Sequence, residues 1–240
     1  MSAITDRFNC PNKQKAREAI WRVFSNEKNP ALAVGLMMPG SKRYELDVAL
    51  ARGFRPDNLY LVEKNAASLA NLTRRSFGKP HPPRSHIYRA MLSDSVSRLS
   101  VTGIRLDVAH LDFCSHCEGG EMLSELRAFF ESGILKPDGL VAVTWLSERE
   151  THISELVRDG LEFSVSSSFP GMSLADRGRH LRVYEAIGTK ATILRVGQYQ
   201  NTKTNNRMFF GIFKVEKTER IVQEAGLRSG TRRWQVQNAS

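Results

Sequence analysis

Leu32 to Gly53 reads LAVGLMMPGSKRYELDVALARG. A short apolar run follows Asn29-Pro30, gives way to a Met-Met-Pro-Gly-Ser turn, and passes into a segment of helical character that closes on Gly53. An apolar run of this length, punctuated by Pro and Gly, suits a central parallel strand buried on both faces, here expected over Ala31 to Leu36. Ser41 stands where it can cap the helix, and Gly53 where it can end the helix in a left-handed conformation. Strand, glycine turn and helix in that order are the opening unit of an α/β fold.

The same alternation continues on both sides of this unit. Upstream, NKQKAREAIWRVF (Asn12 to Phe24) has Ala16, Ala19, Ile20 and Phe24 near a 3.6-residue period, and the basic residues are expected on the opposite, solvent side. Downstream, NLYLVEKN is a second strand ending on Glu63, and Asn65 caps the helix AASLANLTRRSFG, which stops at Gly78. The prolines of GKPHPPRSH make it a loop, leading to a third strand in HIYRAML. IRLDVAHLDF is a fourth strand. GGEMLSELRAFFESG is a helix with Met122, Leu123, Leu126, Phe129 and Phe130 on one face, and Leu140 to Trp145 is a fifth strand. Strands alternating with helices give a parallel sheet covered on both faces. Near the end, ATILRVGQYQNTKTNNRMFFGIFKV holds two β-rich runs around a polar connection, an antiparallel hairpin that brings the sheet to seven strands. The expected organisation is an N-terminal helical segment over 1–30, an α/β domain over 31–215 and a basic tail over 216–240.

The 240 residues are 41% hydrophobic and carry a formal charge of +10, with a pI near 9.8. This length buries a core for one domain with at most a small appendage. No stretch approaches the roughly 18 consecutive apolar residues of a membrane span, and the N-terminus lacks a secretory apolar core. Three cysteines, Cys10, Cys114 and Cys117, are too few and odd in number for a disulfide framework, so a reducing, cytoplasmic setting is expected. The surplus of positive charge predicts attraction to polyanions, RNA or DNA foremost.

In open α/β sheets, ligands sit beyond the carboxyl ends of the strands. The first strand delivers GLMMPG, in which Gly35 and Gly40 permit close backbone approach; Glu63 ends the second; Asp94 follows the third; Asp112 and Phe113 follow the fourth. A glycine turn, two strand-end acids, LDFCS, then LKPDGLVAV entering the fifth strand and a terminal hairpin together resemble the class I S-adenosylmethionine-dependent methyltransferases, over approximately Ala31 to Val215. The resemblance implies a Rossmann-like sheet and S-adenosylmethionine as cofactor. Gly35, Pro39 and Gly40 would then lie against its methionine portion, Glu63 would hold the ribose, and Asp94 would face the adenine amine. Asp112 and Phe113 would stand where nitrogen methylases of the family carry an Asp/Asn-Pro-Pro-aromatic motif. Two departures are visible: the loop lacks the tight Gly-x-Gly and its acid, and DFCS lacks both prolines. The GxxxPG element is also similar to that of RNA 2′-hydroxyl methylases, but VTWLSERE after the fifth strand lacks their lysine.

Other features carry narrower readings. His110, Cys114, His116 and Cys117 are four soft ligands crowded into one short stretch, too close together on the chain for a closed tetrahedral zinc site, so no metal is expected. Trp21 and Trp145 are expected in the core, and Trp234, among arginines, on a nucleobase or an interface. Ser164 to Gly171 has the composition of a lid. Three functions follow: a nucleic-acid methyltransferase, a small-molecule or protein methyltransferase, and a nucleic-acid-binding module that keeps the fold without catalysis.

Overall fold

Asn29 turns the chain ahead of the first strand. The amides of Leu32 and Ala33 donate to its carbonyl at 3.1 and 2.9 Å, and its side chain accepts from the Ala31 amide at 3.1 Å. That turn consumes Ala31 to Ala33, so β1 covers only Gly35–Met37, later than the Ala31 to Leu36 expected from the apolar run. The computed structural model from which this is read describes residues 10–116, 121–146, 191–200 and 207–215. The stretch Ser164 to Gly171, Cys117, Trp234 and the basic tail lie outside them.

Among the described residues the elements run α1 (Pro11–Glu27), β1, α2 (Tyr44–Ala51), β2 (Leu59–Val62), α3 (Ala66–Ser76), β3 (Ile87–Tyr88) and α4 (Leu92–Val101). β4 (Leu106–His116), α5 (Glu121–Glu131), β5 (Leu135–Leu146), β6 (Ala191–Gln200) and β7 (Arg207–Val215) follow. The seven strands form one sheet in the order β3-β2-β1-β4-β5-β7-β6. β3, β2, β1, β4 and β5 run parallel; β7 is antiparallel to β5, and β6 is antiparallel to β7. The α/β class, the mostly parallel seven-stranded sheet and the terminal hairpin are therefore those expected.

Successive side chains of the strands feed two apolar layers. Met37, Leu59, Leu61, Val108, Ala142 and Ile212 pack with Ile20, Trp21 and Phe24 of α1 and with Leu46 and Ala49 of α2. Leu36, Val62, Leu111, Val141 and Phe213 pack on the other face with Val96 and Leu99 of α4 and with Met122, Leu126 and Phe129 of α5. Trp21 and Trp145 are both fully buried, as expected. Gly35 lets the layers close over β1: a Cβ there would lie 2.9 Å from Leu59 Cδ2 and 3.1 Å from Val108 Cγ2. Overpacking of this kind costs about 1–3 kcal/mol, so Gly35→Ala is expected to lower the urea midpoint accordingly.

Helix ends follow local chemistry where it is strong. Asn65 caps α3, its Oδ1 accepting from the amides of Ala67 at 2.9 Å and Ser68 at 3.0 Å. Asn65→Ala is expected to cost about 1 kcal/mol, read by chemical denaturation. Gly53 takes φ 91° just past the end of α2, the left-handed close expected of it. The start of α2 differs from expectation. Gly40 and Arg43 both adopt positive φ, 59° and 64°, which delays the helix, so Arg43 rather than Ser41 is the capping residue. The third strand is also shorter than HIYRAML, because Leu92 already opens α4.

Candidate active site

The loop Met38–Arg43 leaves β1 in a conformation that sequence preference alone would not select. A non-glycine residue in the left-handed region costs roughly 1–2 kcal/mol, and Arg43 is held there by its own side chain. Its guanidinium donates to Asp47 Oδ1 at 2.7 Å, Ser76 Oγ at 2.9 Å and the Pro80 carbonyl at 2.8 Å. The loop is thereby tied to the end of α3 and to the proline segment beyond it.

A cavity of about 390 Å³ opens between this loop, the residues after β2, the start of α4, and the last part of β4. Of the residues expected at a site, Pro39, Gly40, Glu63, Asp112 and Phe113 line it. Gly35 and Asp94 are not among its lining residues. Gly35 lies within β1, where it serves packing, and Asp94 is exposed on the first turn of α4, because α4 begins directly after Met91. The fourth strand runs on past IRLDVAHLDF to His116, so Asp112 and Phe113 lie inside β4 rather than at its end. β4 and β5 stay paired as far as His116 and Leu146, across a register shift beyond Asp112. As neighbours on a strand, the two side chains point to opposite faces: Asp112 toward α1, Phe113 into the layer of α4 and α5.

Glu63 stands immediately past β2, and its Oε1 accepts from the Asn65 amide at 2.8 Å. Burial pushes its carboxyl above the usual range, against the opposing pull of that amide and of Lys64. An ionised carboxylate retains acceptor capacity for further donors, hydroxyls among them. Glu125, also on the cavity, is engaged at both oxygens, which accept from the Ser93 amide and hydroxyl, each at 2.8 Å. It caps the N-terminus of α4 and fixes the wall formed by Met91 and Leu92.

The α1 side of the cavity is built from buried charge. Lys13 Nζ lies 2.7 Å from Asp112 Oδ2, with both side chains less than a tenth exposed. Arg17 Nε donates to Glu45 Oε2 at 3.0 Å, and its guanidinium sits 5.8 Å from the centre of the Tyr44 ring. Glu45 Oε1 also accepts from Trp21 Nε1 and pairs with His110 Nδ1, while His110 Nε2 lies 3.2 Å from Thr144 Oγ1. Burial alone would raise both carboxyls. For Asp112 the charges of Lys13, His110 and Arg17 outweigh it, and for Glu45 those of His110 and Arg17 together with two hydrogen bonds, so both are held below the usual carboxylate range. His110, one of the four soft residues considered for zinc, is thus taken up by Glu45 and Thr144.

Lys13, Arg17, Lys42, Tyr44 and Glu125 line the cavity without having been expected there. Lys13 and Arg17 are buried, not on a solvent face as the helical pattern implied. Glu125, an acid within the apolar face of α5 between Met122 and Phe129, carried a readable signal of its own.

No protein-family model and no curated protein matches the sequence. Solved structures do match. A candidate SAM-dependent methyltransferase from Streptococcus mutans superposes over 86% of this chain with a TM-score of 0.54 and 15% identity, and this chain spans 50% of its length. The N-methyltransferase NodS from Bradyrhizobium japonicum WM9, in complex with S-adenosyl-L-homocysteine, matches with a TM-score of 0.52 and 9% identity over 88% of this chain and 90% of its own. A candidate methylase from Haemophilus influenzae matches with a TM-score of 0.51 and 12% identity over 86% of this chain and 100% of its own. At such identities the likeness speaks for architecture alone. The chain has the class I S-adenosylmethionine-dependent methyltransferase fold.

Proposed function

We propose that this chain is an S-adenosylmethionine-dependent methyltransferase whose acceptor is nucleic acid. The observation that carries the cofactor assignment is the placement of Glu63 just beyond β2, on a cavity that Pro39, Gly40, Lys13, Arg17 and Lys42 also line. Glu63 and the backbone of Pro39 and Gly40 would hold the ribose and the amino-acid portion, and Lys13, Arg17 and Lys42 offer N–H donors to its carboxylate. Met91, Leu92, Val62 and Met122 supply apolar wall for a planar base. The donor set therefore fits the cofactor, which when bound supplies a methyl group already activated on a sulfonium.

The chain's own task is then alignment and exclusion of water. Asp112, kept ionised by Lys13, presents a carboxylate to an incoming amine, accepting its hydrogen bond, while Phe113 closes the opposite wall. The nucleic-acid acceptor is supported by the charge of +10. Transfer of labelled methyl from S-adenosylmethionine to total RNA, to DNA, and to protein and small-molecule fractions tests the reading. Label in a nucleic acid, abolished by Asp112→Ala, is expected; label only in protein or small molecules overturns the nucleic-acid assignment.

A further inference from the structure

From Lys64 to Ser93 the chain holds no acidic residue. Five cations, Arg74, Arg75, Lys79, Arg84 and Arg89, fall between Arg74 and Arg89, and all are exposed. Among them stands Phe77, 91% exposed, an apolar ring left in water just after α3. The arginines at the end of α3 complement the helix dipole, but that leaves the other three cations and the ring unexplained.

We infer that this edge of the molecule, Arg74 to Arg89 with Phe77 at its centre, is a docking surface that seats single-stranded nucleic acid and leads it to the cavity. It meets the site at two places. Arg89 immediately precedes Ala90, which lines the cavity. Phe77 to Lys79 lie between Ser76 and Pro80, both bonded by Arg43, the residue after cavity-lining Lys42. The chemistry is that of strand binding without sequence choice: guanidinium forks take phosphate oxygens and an exposed ring stacks on a base. A base presented from a single strand also needs no extrusion from a duplex before it reaches a closed cavity. The partner named here rests on the nucleic-acid reading above; the place does not.

The test is fluorescence anisotropy of the full chain with labelled oligothymidylate and oligouridylate of about 20 nucleotides, long enough to span a site of this type. Five phosphate contacts on a single strand predict a log-log salt slope contribution of about −3.5. Arg74→Gln/Arg75→Gln/Arg84→Gln is expected to make the slope shallower by about 2 and to weaken binding at low salt. Phe77→Ala is expected to weaken binding about tenfold with the slope unchanged, since stacking is not electrostatic. Binding of S-adenosylhomocysteine, measured in parallel, is expected to be the same in all three proteins. Variants that bind the oligonucleotides as tightly as wild type overturn the assignment. So does a wild type that binds only phosphatidylserine vesicles, losing them in the variants. Oligonucleotide binding that depends on these residues, in a chain that does not bind S-adenosylhomocysteine, sustains the docking surface while removing the methyltransferase reading.

Discussion

Glu63→Ala is expected to weaken S-adenosylhomocysteine binding by about 100- to 10,000-fold, with the fold intact. Two ribose hydroxyls donating to one charged carboxylate are worth about 1.5–3 kcal/mol each, and alanine removes both. Thermal stability should stay close to wild type. Burial raises the Glu63 carboxyl, so its contribution to stability is present below the unfolded pKa and is lost as pH rises through the folded value. At neutral pH the ionised acid is therefore held against its own burial, and its removal costs the fold little. The same shift predicts a pH dependence of binding. The ionised form is the better acceptor, so affinity is expected to fall as pH drops through that raised value. Titration calorimetry at several pH values, with circular dichroism as a check on folding, separates a lost ligand contact from a lost structure.

Glu45→Ala is expected to have the opposite profile, a large loss of stability. Glu45 is 1% exposed and joins Arg17, Trp21 and His110 beneath the cavity. Removing one partner of a buried pair leaves a charge and two polar groups without compensation, which costs about 3–5 kcal/mol. For a chain of this size that lowers Tm by roughly 6–20 °C in a thermal melt. Desolvation works against the intact pair as well, so Arg17→Met combined with Glu45→Leu is expected to lose less than the sum of the single variants. The pH dependence follows from direction. Glu45 and Asp112 are both held below the ordinary carboxylate range, so the stability they contribute is present above their unfolded pKa values and is lost as pH falls through the folded ones. Wild-type protein is expected to unfold in acid below about pH 4, and Glu45→Ala to lose that part of the transition.

Much of the architecture was legible because the decisive signals are local. Short apolar runs closed by Gly, Pro or Asn mark the parallel strands, and the Asn/Thr/Lys connection marks the hairpin. Asn65 and Gly53 act through bonds to their nearest neighbours, and both took the roles expected. Strand ends were less legible. β1 starts late because Asn29 binds three amides in a local turn that the apolar run masks, and β4 continues past Asp112 because β5 stays paired beside it, a partner that a single run of residues does not show.

The cavity divides along the same line. Glu63 follows from the rule that ligands lie past strand ends, and it is there. Lys13 and Arg17 were hidden because their burial depends on Asp112 and Glu45, which reach them only once α1 lies on the sheet. A basic residue on an amphipathic helix reads as solvent-facing until an acid from another element covers it. Arg43 escaped for a related reason, since its left-handed backbone is maintained by Ser76 and Pro80, more than thirty positions away.

Isothermal titration of the wild-type chain with S-adenosylhomocysteine addresses the cavity most directly. Saturable binding of one ligand per chain, at a Kd in the micromolar range, is expected of a largely pre-formed pocket with these donors. A folded chain that gives no binding heat, and no rise in Tm with S-adenosylmethionine or S-adenosylhomocysteine at millimolar concentration, would contradict it and leave the Met38–Arg43 loop a connection on a methyltransferase-like scaffold.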